Sequence, residues 1–232
     1  MRQPGNPEWE AALAALDESG YAVLPGLLDA AECRGLAALY EDDAAFRSRV
    51  VMARHNYGRG EYKYLRYPLP SPVAALRAAL YPRLAPLAND WHKRLRLEPR
   101  FPADLDAWLA RCHDAGQQRP TPLILKYEAG DYNCLHQDLY GDLVFPVQAT
   151  TLLSAPGDDF TGGEFVLVEQ RPRMQSRAEI VPLGQGDAVI FAVNFRPVAG
   201  ARGDYRVAMR HGVSRLRRGR RFTLGVIFHD AA

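Results

Sequence analysis

Apolar and polar positions follow two different periods along this chain, and the change comes near Pro122. Before it, apolar residues recur at helical spacing. Trp9, Leu13 and Leu16 form one stripe that stops at Gly20, a residue suited to ending a helix. Tyr21–Leu24 reads as a short strand turned by Pro25-Gly26. Asp29 followed by Glu32 then predicts a capped second helix running to about Tyr40. Residues 54–70 are crowded with Tyr, Gly and basic side chains and read as an ordered loop. Ser71-Pro72 opens a third helix, which Pro82 and Pro86 are expected to break or kink before Trp91. A fourth helix fits residues 102–115.

After Pro122 the pattern shortens to β-rich runs between Gly, Pro and Asp residues. These are 123–128, 132–139, 145–153, 164–169, 178–183, 187–193, 206–214 and 221–228. Eight short strands predict a double-sheet jelly roll or small barrel. The expected fold is therefore α+β, one domain over 1–232. Residues 1–120 form a mostly helical support and 121–230 a jelly-roll core, with a separate helical N-terminal domain as the alternative.

Composition narrows the class. Apolar residues make up 47% and charged residues 24%, an ordinary globular balance. No apolar run approaches the ~20 residues that span a bilayer, so no membrane partner is expected. The N-terminus, MRQPGNPEWE, is polar where a secretory signal would be apolar. Three scattered cysteines (Cys33, Cys112, Cys134) without CxxC spacing predict reduced thiols and a cytoplasmic location. A net charge of +2 excludes little. Its distribution shows two basic clusters, one at Arg54, Arg59, Lys63 and Arg66, the other running from Arg210 through Arg215, Arg217, Arg218 and Arg220 to Arg221. Such clusters either hold phosphates or form a solvated face balanced by acids elsewhere.

The candidate chemistry centres on Leu135-His136-Gln137-Asp138. Side chains alternate along a strand, so His136 and Asp138 project to one side and can share an ion. With a second, distant histidine they make a 2-His-1-carboxylate triad. That leaves three coordination positions open, as oxygen chemistry at Fe(II) requires. His211 opens a strand-like run near the C-terminus, and Arg221 stands ten residues beyond it. Arg215–Arg220 reads as the turn that returns Arg221 to the same pocket, where its planar fork suits a carboxylate.

These residues lie in an ordered set. Tyr127-Glu-Ala-Gly130 precedes His136, Thr161-Gly-Gly-Glu-Phe165 lies between strands, and Gly186-Asp-Ala-Val-Ile-Phe191 comes shortly before His211. From about 121 to 230 the chain resembles the Fe(II)/2-oxoglutarate dioxygenases, whose core is a double-stranded β-helix. The spacing from His211 to Arg221 resembles the prolyl-hydroxylase branch, and Leu-His-Gln-Asp with His211-Gly212 resembles AlkB-type repair enzymes. The resemblance implies His136, Asp138 and His211 as metal ligands and Arg221 as the anchor of 2-oxoglutarate. It implies that Tyr127 offers its hydroxyl to that cosubstrate, against the alternative of simple packing, with dioxygen as the oxidant. Thr223 faces the same side as Arg221 by alternation.

Other residues have plainer readings. Cys134 shares a face with His136 and is expected to be a small buried neighbour rather than a thiolate ligand. His55, His92, His113 and His229 lack a partnered spacing. Glu164 is expected in a turn. Tyr132 and Tyr140 flank the metal motif as entrance or core residues. Three departures from the AlkB-type pattern bear on substrate: Leu125 stands where those enzymes carry Asn, Ile227 where they carry a second Arg, and the segment from His211 to Arg221 is shorter than theirs. The substrate stays open between alkylated nucleic acid, favoured by the basic, Tyr-rich 54–67 segment, and a protein side chain or small molecule hydroxylated in the prolyl-hydroxylase manner. A non-catalytic jelly-roll binding module is the alternative from another class.

Overall fold

In the computed structural model, which describes residues 1–98 and 100–232, the first apolar stripe becomes helix α1 (Asn6–Ser19). Gly20 ends it in the left-handed region at φ 81°, its N–H bonded to the Leu16 carbonyl. Strand β1 (Tyr21–Leu24) follows, then α2 (Ala30–Ala38). The Asp29 carboxylate accepts the Glu32 N–H while Glu32 accepts the Asp29 N–H, a reciprocal cap contributing about 1 kcal/mol. The predicted run to Tyr40 ends early, continuing as a single 3-10 turn over Leu39–Glu41.

The expected 54–70 loop contains two short strands, and the rest of it is irregular. Strand β2 (Phe46–Val51) pairs antiparallel with β4 (Glu61–Leu65), and the short β3 (Gly58–Arg59) lies between them in sequence. Tyr62 and Tyr64 in β4 follow strand propensity, which the density of Gly and charge around them hides.

Helix α3 (Ser71–Leu95) runs unbroken through Pro82 and Pro86. Both prolines are exposed, so water can reach the carbonyls of Ala78 and Pro82 that they leave unbonded. On the opposite face Leu76, Leu80, Tyr81, Leu84 and Trp91 are buried. At roughly 1.5–3 kcal/mol per large apolar side chain, their burial outweighs about 3 kcal/mol per proline. Helix α4 (Leu105–Asp114) is capped by Asp104.

Ten further strands complete the chain: β5 (Leu123–Glu128), β6 (Tyr132–His136), β7 (Val147–Leu152), β8 (Phe160–Gly162), β9 (Phe165–Gln170), β10 (Arg177–Val181), β11 (Ala188–Ala192), β12 (Phe195–Gly200), β13 (Gly203–Val213) and β14 (Leu216–Val226). The larger sheet has the order β1-β11-β7-β14-β5-β4-β2, with β8 joined to β14. The smaller has β10-β9-β13-β6-β3, with β12 on β13. Every named pairing is antiparallel, and the two sheets form the jelly-roll core. Leu16, Leu36, Leu84 and Trp108 from the helices share one hydrophobic cluster with Phe145, just before β7, and with Ile190 and Leu224 from the strands.

One turn lies elsewhere than expected. Ser214 and Arg215 connect β13 to β14, and residues 217–220 are strand, their backbone paired in part with β8. Arg221 nevertheless points inward.

Candidate active site

Register brings the two histidines together. His211 on β13 stands directly opposite His136 on β6, their ring centroids 4.2 Å apart. Strand β6 ends at His136, so Asp138 comes from the irregular segment just beyond it rather than from a continued strand. The carboxylate lies between the imidazoles, with Oδ1 3.4 Å from His136 Nε2 and Oδ2 3.4 Å from His211 Nε2. Three ligand atoms, one from each residue, lie within 4.8 Å of one another.

Hydrogen bonds aim these groups. His136 Nδ1 is 2.7 Å from the Cys134 carbonyl, which as an acceptor requires the proton on Nδ1 and leaves the Nε2 lone pair toward Asp138. Tyr140 donates its hydroxyl to Asp138 Oδ1 at 2.9 Å, and Gln148 Nε2 donates to Oδ2 at 2.8 Å. Burial by itself would raise the Asp138 carboxyl. The bonds and charges of His136 and His211 outweigh it and hold the group well below the usual carboxylate range. His211, 6% exposed, is pushed down by burial and then by His136. Burial also pulls on His136, but its bond to Asp138 wins and raises it.

All of this opens into a cavity of about 240 Å³ between the two sheets. At its inner end is Arg221, 1% exposed. Its guanidinium bonds the Thr223 hydroxyl and lies 5.7 Å from the Tyr127 ring and 5.8 Å from that of Phe160. Among the described residues no carboxylate pairs with it, and its Nε has no partner. Burial lowers it to about 10 although Tyr127 and Glu164 pull the other way. The Tyr127 hydroxyl, buried beside Asn133, makes no hydrogen bond of good geometry. An unpaired buried cation and an orphaned hydroxyl, side by side, suit an incoming carboxylate.

The cavity thus gathers His136, Asp138, His211, Arg221, Tyr127, Thr223 and Tyr140. Other sequence candidates lie outside its walls. Cys134 is exposed rather than buried, and Tyr132 pairs with Arg59 across β6 and β3. His229 is buried, accepting the Phe145 N–H on Nδ1, while His113 bonds Asp230. Glu164 is exposed in the β8–β9 turn. Lys63 leaves the first basic cluster: it is buried, bonded to the Tyr40 carbonyl and Asp43. Gln148 was not legible as a site residue. The only signal was an amide in the otherwise apolar and Thr-rich run Val147–Leu152, all of it buried.

Two facing antiparallel sheets with this His-Asp-His cluster between them define a member of the 2OG-Fe(II) oxygenase superfamily, a 2-oxoglutarate-dependent non-haem iron dioxygenase. Among solved structures the chain is similar in fold to a Pseudomonas putida prolyl-4-hydroxylase (TM-score 0.54, 17% identity, covering 94% of this chain and 96% of the other). It is likewise similar to an oxidoreductase of the 2OG-Fe(II) oxygenase family from Burkholderia pseudomallei (TM-score 0.53, 16% identity, covering 100% and 96%). Residues 60–231 match the profile of the Oxygenase-NA family, described as an oxygenase catalysing oxidative methylation of damaged DNA, and the chain belongs to that family. It is 52% identical over 194 residues to the uncharacterized protein Rv2227 of Mycobacterium tuberculosis (strain ATCC 25618 / H37Rv), covering 82% of this chain and 83% of the relative. Among the described residues no helix is long and apolar enough to cross a membrane.

Proposed function

We propose that this dioxygenase removes methyl groups oxidatively from alkylated nucleic acid, with His136, Asp138 and His211 holding Fe(II) and Arg221 holding the distal carboxylate of 2-oxoglutarate. The observation that carries the site assignment is the pairing, in one cavity, of a three-residue ligand cluster with a buried arginine that has no carboxylate of its own. Two imidazoles and a carboxylate suit Fe(II) and leave positions for a bidentate keto acid and dioxygen. Iron chelated by 2-oxoglutarate supplies the activation of dioxygen, with succinate and CO2 as the products of the cosubstrate.

The chain's own groups do the rest. His136 and His211 present Nε2 lone pairs; Tyr140 and Gln148 restrain the Asp138 carboxylate from both oxygens. Arg221 with Thr223 fixes the cosubstrate's far end. Leu123, Leu125 and Ile227 keep the wall apolar and displace water. Oxygen inserted into an N-methyl C–H bond gives a carbinolamine, which breaks its C–N bond to release formaldehyde and restore the N–H of the base.

The nucleic-acid reading rests on the family's description together with the rim. Tyr57 is 49% exposed, lines the cavity, and stacks on His55 at 5.3 Å between centroids. It offers an aromatic face to a base, with Arg54, Arg59 and Arg66 exposed nearby in the chain. One observation favours a second reading, hydroxylation of a protein side chain or small molecule. Leu125 and Ile227 line the cavity and offer no polar group to a base edge.

The deciding assay supplies Fe(II) and 2-oxoglutarate to methylated single- and double-stranded oligonucleotides, with peptide and metabolite pools alongside, and reads succinate and formaldehyde. Turnover with stoichiometric formaldehyde from the methylated strand is expected. Succinate release stimulated only by peptides or metabolites would overturn the nucleic-acid assignment.

A further inference from the structure

Arg221 also borders a second cavity, which the chemistry above does not use. This cavity of about 300 Å³ lies on the other side of the arginine, lined by Pro156, Gly157, Thr161, Gly163 and Pro182 among others. Arg221 and Phe165 are the two side chains that line both cavities. The outer cavity reaches the surface, since Pro156, Gly157, Glu164 and Pro182 are exposed. Its walls combine Gly, Pro and Thr residues with the apolar side chains of Leu152, Phe160, Val181 and Leu183. Gly163, at φ +66°, lies where a Cβ would come within 3.1 Å of Arg221 Cδ and 2.6 Å of Leu216 Cδ1. A side chain there would press on the stem of the arginine.

The second basic cluster meets this opening. Arg218 donates to the Gly157 carbonyl at 3.2 Å. The Arg217 stem lies against Gly162, leaving no room for a Cβ there. Both residues are exposed, and neither makes an ion pair among the described residues. The nearby acids are partly engaged: Glu164 accepts the Ser214 hydroxyl, and Asp159 accepts the Ala155 N–H. Asp158 is exposed. The mouth therefore carries Arg217 and Arg218 beside the carboxylates of Glu164, Asp158 and Asp159, and a buried cation, Arg221, lies at the bottom.

The inner cavity poses a traffic problem. The cosubstrate must lie deeper than the oxidised substrate, which enters past Tyr57, Leu139 and Tyr140. Through that front alone, succinate would wait behind the product. We propose that the outer cavity is a rear door for small dicarboxylates, steered by Arg217 and Arg218 and gated by Arg221 with Phe165. This inference rests on Arg221 being the cosubstrate anchor.

The test is anaerobic stopped-flow binding of 2-oxoglutarate to the Fe(II)-loaded protein, followed by the visible charge-transfer band of the chelate. Thr161→Trp and Pro182→Trp are expected to slow association and dissociation together by about tenfold with Kd unchanged, because a narrowed path alters rates and not the bound state. Arg217→Glu with Arg218→Glu, at exposed positions that folding tolerates, is expected to slow association several-fold (about three to ten) at low salt and to flatten its salt dependence. Leu139→Trp, at the front, should leave both rates as they are.

Unchanged rates in the rear variants, or a slowing confined to Leu139→Trp, overturn the door. So does loss of oligonucleotide retention by the charge variant with 2-oxoglutarate rates intact, which would assign the arginines to phosphate binding. Arg221→Met separates the two levels. A fall in equilibrium affinity for 2-oxoglutarate upholds the anchor whatever the rates do, while unchanged affinity removes the anchor and the door with it.

Discussion

At the scale of single residues, the site gathers buried polar atoms that lack partners. His211 Nδ1, Gln148 Oε1, Tyr127 Oη and Arg221 Nε are all buried without partners, and all belong to residues around one cavity. Orphaned polar atoms each cost about 1–3 kcal/mol, so four in one place mark a surface shaped for a ligand more than for stability. His136→Ala and Asp138→Ala are each expected to leave only a small fraction of about one iron equivalent after desalting, measured by metal analysis. Full iron retention in both would sink the ligand assignment. Gln148→Leu should fold normally yet weaken iron binding by about 10–100-fold in competition with a chelator, because the Asp138 carboxylate loses the donor on Oδ2. An unaltered affinity would make Gln148 a packing residue.

At the scale of elements, strand pairing does the assembling. β6 and β13 set the histidines opposite each other, β7 carries Gln148 and Thr150 inward by alternation, and β14 carries Arg221 and Thr223. The far end of β14 is held by a buried knot. Asp230 pairs with Arg77 of α3 at 2.8 Å and also accepts from Tyr67, while Arg77 donates to the Ile227 carbonyl. With both charges buried, removing one strands the other. Asp230→Ala is expected to destabilise the protein by roughly 3–5 kcal/mol in urea unfolding. A change below about 1 kcal/mol would show that water replaces the carboxylate there. Nothing in the spacing of residues 77 and 230 foretold this pair, whereas the strands β5, β7 and β11 were legible within two residues at each end from local pattern alone.

At the scale of the whole molecule, acid is the expected weakness. Burial, reinforced by the nearby Arg77 charge, lowers His229 from 6.5 to about 4. Between those values the unfolded chain binds a proton that the folded chain refuses. This stability is therefore complete above about pH 6.5 and is lost as pH falls toward 4, by about 3 kcal/mol in all. The urea midpoint should fall between pH 7 and pH 5. In His229→Asn, which keeps an acceptor for the Phe145 N–H, the fall should be shallower. An equal pH slope in the variant would assign the acid sensitivity to other groups.

Local chemistry by itself determined the β-rich second half and the helix caps at Asp29 and Gly20. Each of these depends on neighbours a few positions apart, where period and propensity act. The tertiary structure alone decided that α3 survives two prolines, that Lys63 is buried while Cys134 is exposed, and that Gln148 faces Asp138. It also decided that Arg221 stands between two cavities. Those outcomes follow from which surfaces meet in the folded chain, and such contacts leave no local period to read.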